Sequence, residues 1–251
     1  MSRPAAPSGL SAWNIAVGNF FFRWRNALFP VLILSSVLLS RPAVIGNPSL
    51  DRGLMLGGMV VALLGQAVRL ATIGYEYIER GGKQGKVYAS HLVHGGVYAL
   101  TRNPMYLGNG LIAIGITMVA GAPLIYLAIL PFFLFVYQAI IVAEETYLRR
   151  QFGEEYARYC ATVNRLLPAL HHIPSVLGPL KYEWGQALRK ELSTILALLL
   201  GLLLLPVWRQ LWFEGWDVVR PKAPRLLATV AGLLAVYGLT VYLKKQRKLF
   251  Y

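Results

Sequence analysis

Residues 105–143 read MYLGNGLIAIGITMVA, then GAP, then LIYLAILPFFLFVYQAIIVA: two uncharged apolar runs joined by Gly121-Ala122-Pro123. At about 1.5 Å per residue, each run nears the roughly 30 Å of a bilayer's hydrocarbon core. So short a joint forces the two helices antiparallel. Outward from this hairpin, further apolar blocks occupy 20–40, 54–74, 192–212 and 226–243, which with 105–121 and 123–143 makes six candidate spans. Of the 251 residues, 56% are hydrophobic and 14% charged, and the mean hydropathy is +0.51. A water-soluble monomer does not fit these values. The fold class they predict is all-α, a polytopic transmembrane helical bundle.

The first span contains Arg23 and Arg25, which can snorkel from a helix end. It ends in Ser40-Arg41-Pro42 rather than a small-residue cleavage site, so it is expected to be retained rather than removed as a signal peptide. Orientation follows from the basic residues. With the N-terminus in the cytoplasm, eighteen Lys and Arg lie on that side and six outside, while Arg69 sits within the second span. This asymmetry places both termini and both long loops, 75–104 and 144–191, in the cytoplasm. The net charge of +14 then faces anionic membrane lipid, and nucleic acid is not an expected partner because the basic residues are scattered over short loops. Cys160 is the lone cysteine, which excludes a disulfide framework and an all-cysteine metal site. The four histidines, paired as His91 with His94 and His171 with His172, form no zinc set.

Ionisable groups beside apolar spans are costly and therefore candidates for chemistry. Gln66 and Arg69 lie one turn apart on the second span, where Arg69 reads either as a snorkelling anchor or as a site residue. The run from His91 to Gly110 brings His94, Gly96, Tyr98, Arg102, Asn103, Pro104, Tyr106 and Gly108 to the start of the third span. Pro104 suits the first helical turn and Asn103 its N-cap. A helix start of this kind attracts a carboxylate or phosphate. Gly108 and Gly110 admit close approach by a ligand or by a neighbouring helix. Glu144-Glu145 end the fourth span at the same level, since the connecting turn is so short. Two readings fit the pair: an ion pair with Arg102, or capture of a ligand's ammonium or hydroxyls. Beyond Ala143, Leu148, Phe152, Tyr156, Tyr159 and Val163 recur at helical spacing, predicting an amphipathic surface helix that caps a pocket or links two bundles.

Three stretches, taken together, resemble the integral-membrane methyltransferases related to isoprenylcysteine carboxyl methyltransferase and phosphatidylethanolamine N-methyltransferase. They are Leu92-Val93 through Gly96 and Tyr98 to Arg102-Asn103-Pro104-Met105-Tyr106-Leu107-Gly108; Glu144-Glu145 with Leu148; and Phe152-Gly153-Glu154-Glu155-Tyr156 with Tyr159, ending in Arg165 and Pro168. The resemblance covers 54–168. It implies an S-adenosylmethionine pocket facing the cytosol, formed by Val93, His94, Gly96, Tyr98, Arg102, Asn103, Pro104, Tyr106, Leu107, Gly108, Glu144 and Glu145, with S-adenosylhomocysteine as product. Arg165 and Glu145 are the expected catalytic residues. Asn103 stands where most of the family has histidine, and His91 is displaced by one position from the family histidine. No metal is implied.

The acceptor is expected to be a lipid-like molecule entering from the bilayer. Arg165 would hold an anionic group on it, which favours carboxyl O-methylation over headgroup N-methylation. An NADPH-dependent sterol-type reductase shares the FG, Tyr and Arg-x-x-Pro arrangement and is the enzymatic alternative; a non-catalytic scaffold or transporter is the other. Three units follow: 1–53 with the first span, 54–168 as a methyltransferase-like core, and 169–251 as a linker and an additional hairpin. That hairpin reads as packing, substrate access or support for an oligomer.

Overall fold

The computed structural model describes residues 9–43, 47–75 and 88–246. Helices α1 (Gly9–Leu39), α2 (Pro48–Tyr75), α3 (Pro104–Ala120), α4 (Leu130–Thr162), α5 (Ile173–Leu177), α6 (Trp184–Glu214), α7 (Trp216–Val219) and α8 (Ala223–Lys245) follow in order. The chain is an all-α polytopic bundle. Among the described residues, Pro48–Tyr75, Ile125–Thr162, Trp184–Glu214 and Trp216–Lys244 are long and apolar enough to cross a membrane. α3 is shorter, at 17 residues. Of the basic residues in the charge count, Arg3, Arg80, Lys83, Lys86, Arg247 and Lys248 lie outside the described residues.

α2 and α3 cross on glycine. A Cβ at Gly65 would stand 2.6 Å from the Gly108 carbonyl oxygen, and one at Gly58 would stand 2.7 Å from that of Gly115. Each pair is spaced seven residues along its own helix, so antiparallel backbones meet twice with no side chain between them. α1 packs along α4 in the same way, with Gly18 against Ala139 and Ala143. After the Gly121 turn, Ile125–Ile129 form a π-helical turn. Pro131 follows it; proline lacks the N–H that would bond the Leu127 carbonyl, and the wider turn absorbs that loss.

α6 runs antiparallel to α2 and is tied to it at two levels. Arg69 donates to Glu191 through Nε (2.7 Å) and Nη2 (2.8 Å), and Gln66 Nε2 adds a third bond to Glu191 at 3.1 Å. Arg209 Nη2 meets both Asp51 carboxylate oxygens at 2.6 Å. Asp51 and Arg69 are eighteen residues apart, as are Glu191 and Arg209. Eighteen residues are five helical turns, so both partners on each helix share one face. The snorkelling reading of Arg69 is thereby corrected: the residue is 5% exposed because a wholly buried carboxylate on α6 neutralises it. The segment entering α6 also caps α2, where Tyr182 Oη bonds Leu70 O (3.1 Å), Gln186 Nε2 bonds Ile73 O (2.8 Å) and the Glu183 N–H bonds Gly74 O (2.8 Å). Ile73 O and Gly74 O are among the carbonyls that a helix end leaves without intrahelical partners. Burial, then the neighbouring Tyr75, pushes the Tyr182 phenol above its ordinary pKa, which keeps it a donor.

Candidate active site

The segment before α3 and the segment after α4 are stitched together. The Arg102 N–H donates to Asn164 O (2.9 Å) and the Ala169 N–H to Leu100 O (3.0 Å). Asn103 occupies the N-cap position of α3, yet its side chain makes no cap bond. Its Nδ2 donates instead to Arg165 O at 3.1 Å and to Glu145 Oε1 at 3.4 Å. The amide thus ties the start of α3 to α4 and to the 164–169 stretch of chain.

The second half of α4 carries the predicted surface helix as its own continuation. Gly153, at φ 49° and ψ −117°, breaks the helical path there. Beyond it Tyr156 and Tyr159 are buried against Leu92, flanked by Leu148, Phe152, Cys160 and Val163. Tyr159 Oη also donates to Tyr98 O at 2.7 Å. The apolar stripe therefore caps the loop, which selects the pocket-capping alternative over the linker.

Around this clamp lies a cavity of about 1200 Å³ that Val93, Tyr98, Arg102, Asn103, Tyr106, Glu144 and Glu145 help to line. Tyr106 Oη donates to Glu144 Oε1 at 2.7 Å. Glu145 receives Arg165 Nη2 at 2.9 Å and Arg102 Nη1 at 3.9 Å. Arg102 Nη1 further donates to Cys160 Sγ at 2.6 Å, whereas its Nε is buried without a partner among the described residues. Burial disfavours the Arg102 charge, but Cys160 and Glu145 more than offset it and hold the guanidinium above its ordinary pKa. The ion-pair reading holds for Glu145, with Arg165 as the shorter partner, and the side chain also lines the cavity.

Several predicted residues stand off the cavity. Pro104 is buried at the first turn of α3, Gly96 opens a short 3-10 turn at φ 52°, and Leu107 lies on a face of α3 away from the lining. His94 stacks at a tilt on Tyr159, 6.4 Å between centroids. Gly108 serves helix packing against Gly65 and Arg69, and nothing lies within 4 Å of a Cβ at Gly110. Arg165 is absent from the lining, its guanidinium turned to Glu145.

The sequence reading passes over lining residues from outside the core: Phe22 and Arg25 of α1, stacked at 4.2 Å, and Ser193, Thr194, Ala197 and Gly201 of α6. A stripe of small residues at 193, 197 and 201 is visible at helical spacing in the sequence, and is the signal for α6.

Residues 54–155 match the phospholipid methyltransferase family. This core belongs to that family. An uncharacterized protein of Haemophilus influenzae is 43% identical over 63 residues, which are 25% of this chain and 100% of that protein. No solved structure matches the chain. The family match thus falls on a segment of a bundle whose helices are of membrane-spanning length.

Proposed function

We propose that the protein methylates an amphiphilic, lipid-like acceptor with S-adenosylmethionine bound at the polar end of the cavity. The observation that carries this is the unpartnered Arg102 Nε beside two carboxylates in one lining. An aminocarboxylate cofactor complements that set: its carboxylate can accept from Arg102 Nε, and its ammonium or ribose hydroxyls can meet Glu145. When bound, the cofactor supplies a methyl group already activated on its sulfonium. The protein's part is to orient the reactants and exclude water, with Tyr156, Tyr159 and Leu92 forming the cover.

The carboxyl preference rests on Arg165 as holder of an anionic acceptor. Arg165 is spent on Glu145 and lies off the cavity, which leaves Glu144 and Arg25 of the lining to meet an acceptor's polar end. This supports an amine headgroup, with Glu144, held by Tyr106, able to take the proton that the methylated nitrogen gives up. Both termini and the polar end of the cavity face the cytoplasm in this reading, as the basic-residue asymmetry requires.

Membranes incubated with radiolabelled S-adenosylmethionine test the reading through base treatment of the extracted lipids. Base-stable label in a phospholipid is expected. Base-labile label restores carboxyl methylation, and no label in any lipid fraction overturns the lipid acceptor. Thermal stabilisation by NADPH and not by S-adenosylhomocysteine would make the site that of a reductase.

A further inference from the structure

The cavity is larger than its polar end requires. Small-molecule pockets occupy roughly 300–1000 Å³, whereas this one reaches about 1200 Å³ and continues along α6. The wall changes character on the way. Ser193 and Thr194 stand level with Asn109 and Arg69, to which Thr194 is bonded. Ala197 and Gly201 follow, and Trp208 ends the run. At Gly201 the passage is narrow, since a Cβ there would lie 3.3 Å from Ile116 Cδ1.

The far end is braced. Trp208 packs against Val119, Ala120, Ala122, Ile125 and Leu205. Arg209, the next residue, donates to Val119 O at 3.2 Å and is paired with Asp51. Floor and brace are therefore neighbours on one turn of α6. From Ser193 to Trp208 the lining spans fifteen residues, about 22 Å of helix. One leaflet's acyl layer is about 15 Å, half the hydrocarbon core, so the lining is long enough to accompany an apolar tail of ordinary length.

We infer that α6 forms a measuring trough: one apolar tail of the membrane acceptor lies along Ala197 and Gly201, and the floor at Trp208 sets the longest tail accepted. The inference rests on the acceptor being an amphiphile and adds to that reading a selection by chain length. The polar gate at Ser193 and Thr194, the constriction at Gly201 and the braced floor together favour a single tail, its polar end at the level of Arg102 and Glu144.

The test uses the purified full-length protein and lysophosphatidylethanolamines with decanoyl, myristoyl, stearoyl and longer tails, with retention read by native mass spectrometry. Retention is expected to rise with tail length, roughly fourfold per buried methylene, and to stop rising at a cut-off. Gly201→Leu should move the cut-off to shorter tails and Trp208→Ala to longer ones. Absence of a cut-off in the parent protein overturns the trough, as does an unmoved cut-off in Gly201→Leu that melts like the parent; should Trp208→Ala fail to fold, Gly201→Leu decides. Stabilisation by S-adenosylhomocysteine is measured alongside. Its absence with the cut-off intact strikes the methyltransferase reading alone, and its presence without a cut-off strikes the trough alone.

Discussion

Glu145 sits where two arginines converge, Arg165 at 2.9 Å and Arg102 at 3.9 Å. Replacing it with glutamine keeps the shape and removes the charge that holds both guanidinium groups in place. Charge-assisted bonds contribute about 1.5–3 kcal/mol, so Glu145→Gln should weaken S-adenosylhomocysteine binding roughly ten- to a hundredfold, as calorimetry would show; unchanged affinity would assign Glu145 to structure alone. Asn103 is tested in the same assay. Asn103→Leu loses both of its Nδ2 bonds and should loosen the clamp, while Asn103→His can retain one donor and should fall between. The meeting of Arg102, Asn103, Tyr106 and the glutamates was legible in the sequence because a three-residue turn levels the two helix ends. The direction of Arg165 was not, because it depends on backbone pairing between 100–103 and 164–169. Gly108 was legible as a point of close approach, but a glycine carries no sign of which helix it admits.

At the scale of elements, α4 depends on one backbone conformation. Gly153 stands at φ 49° with open space around it, nothing lying within 4 Å of where a Cβ would sit. An alanine there would meet no clash, only dihedral strain of about 1–3 kcal/mol. Gly153→Ala should lower thermal stability by that amount and detach Tyr156 and Tyr159 from Leu92, visible as faster amide exchange at Leu92. The periodicity of 148–163 revealed the buried stripe; it could not reveal that the helix continues α4. The α2–α6 ties were missed for another reason: Glu191 lay at the edge of a polar loop in the linear reading, although its eighteen-residue spacing to Arg209 matches that of Asp51 to Arg69. Removing one partner of a buried pair costs about 3–5 kcal/mol. Glu191→Ala should therefore destabilise the protein strongly, and the swap Arg69→Glu with Glu191→Arg should recover part of the loss in a double-mutant cycle.

Across the whole molecule, the core matched to the methyltransferase family builds the polar end of the cavity, while α1 and α6 close its walls from either side of that segment. Under the proposed function this makes the direction of insertion matter, because the polar end would have to face the compartment that supplies S-adenosylmethionine. Asp217 and Gln246 are both exposed and flank α8, a helix whose apolar window is 0% buried within the protein. In a Cys160→Ser background, single cysteines at the two positions should react with a membrane-impermeant maleimide from opposite sides, Gln246 from the cytoplasm. Two features of the helix favour this: its uncharged run 226–243 is eighteen residues, near the roughly 20 a span needs, and the four basic residues after it, Lys244, Lys245, Arg247 and Lys248, outnumber Arg220, Lys222 and Arg225 before it. Labelling of both from one side would mean that α8 lies along the membrane instead of crossing it, and would leave the cytoplasmic placement of the cavity to rest on the loops around Arg102 and Arg165.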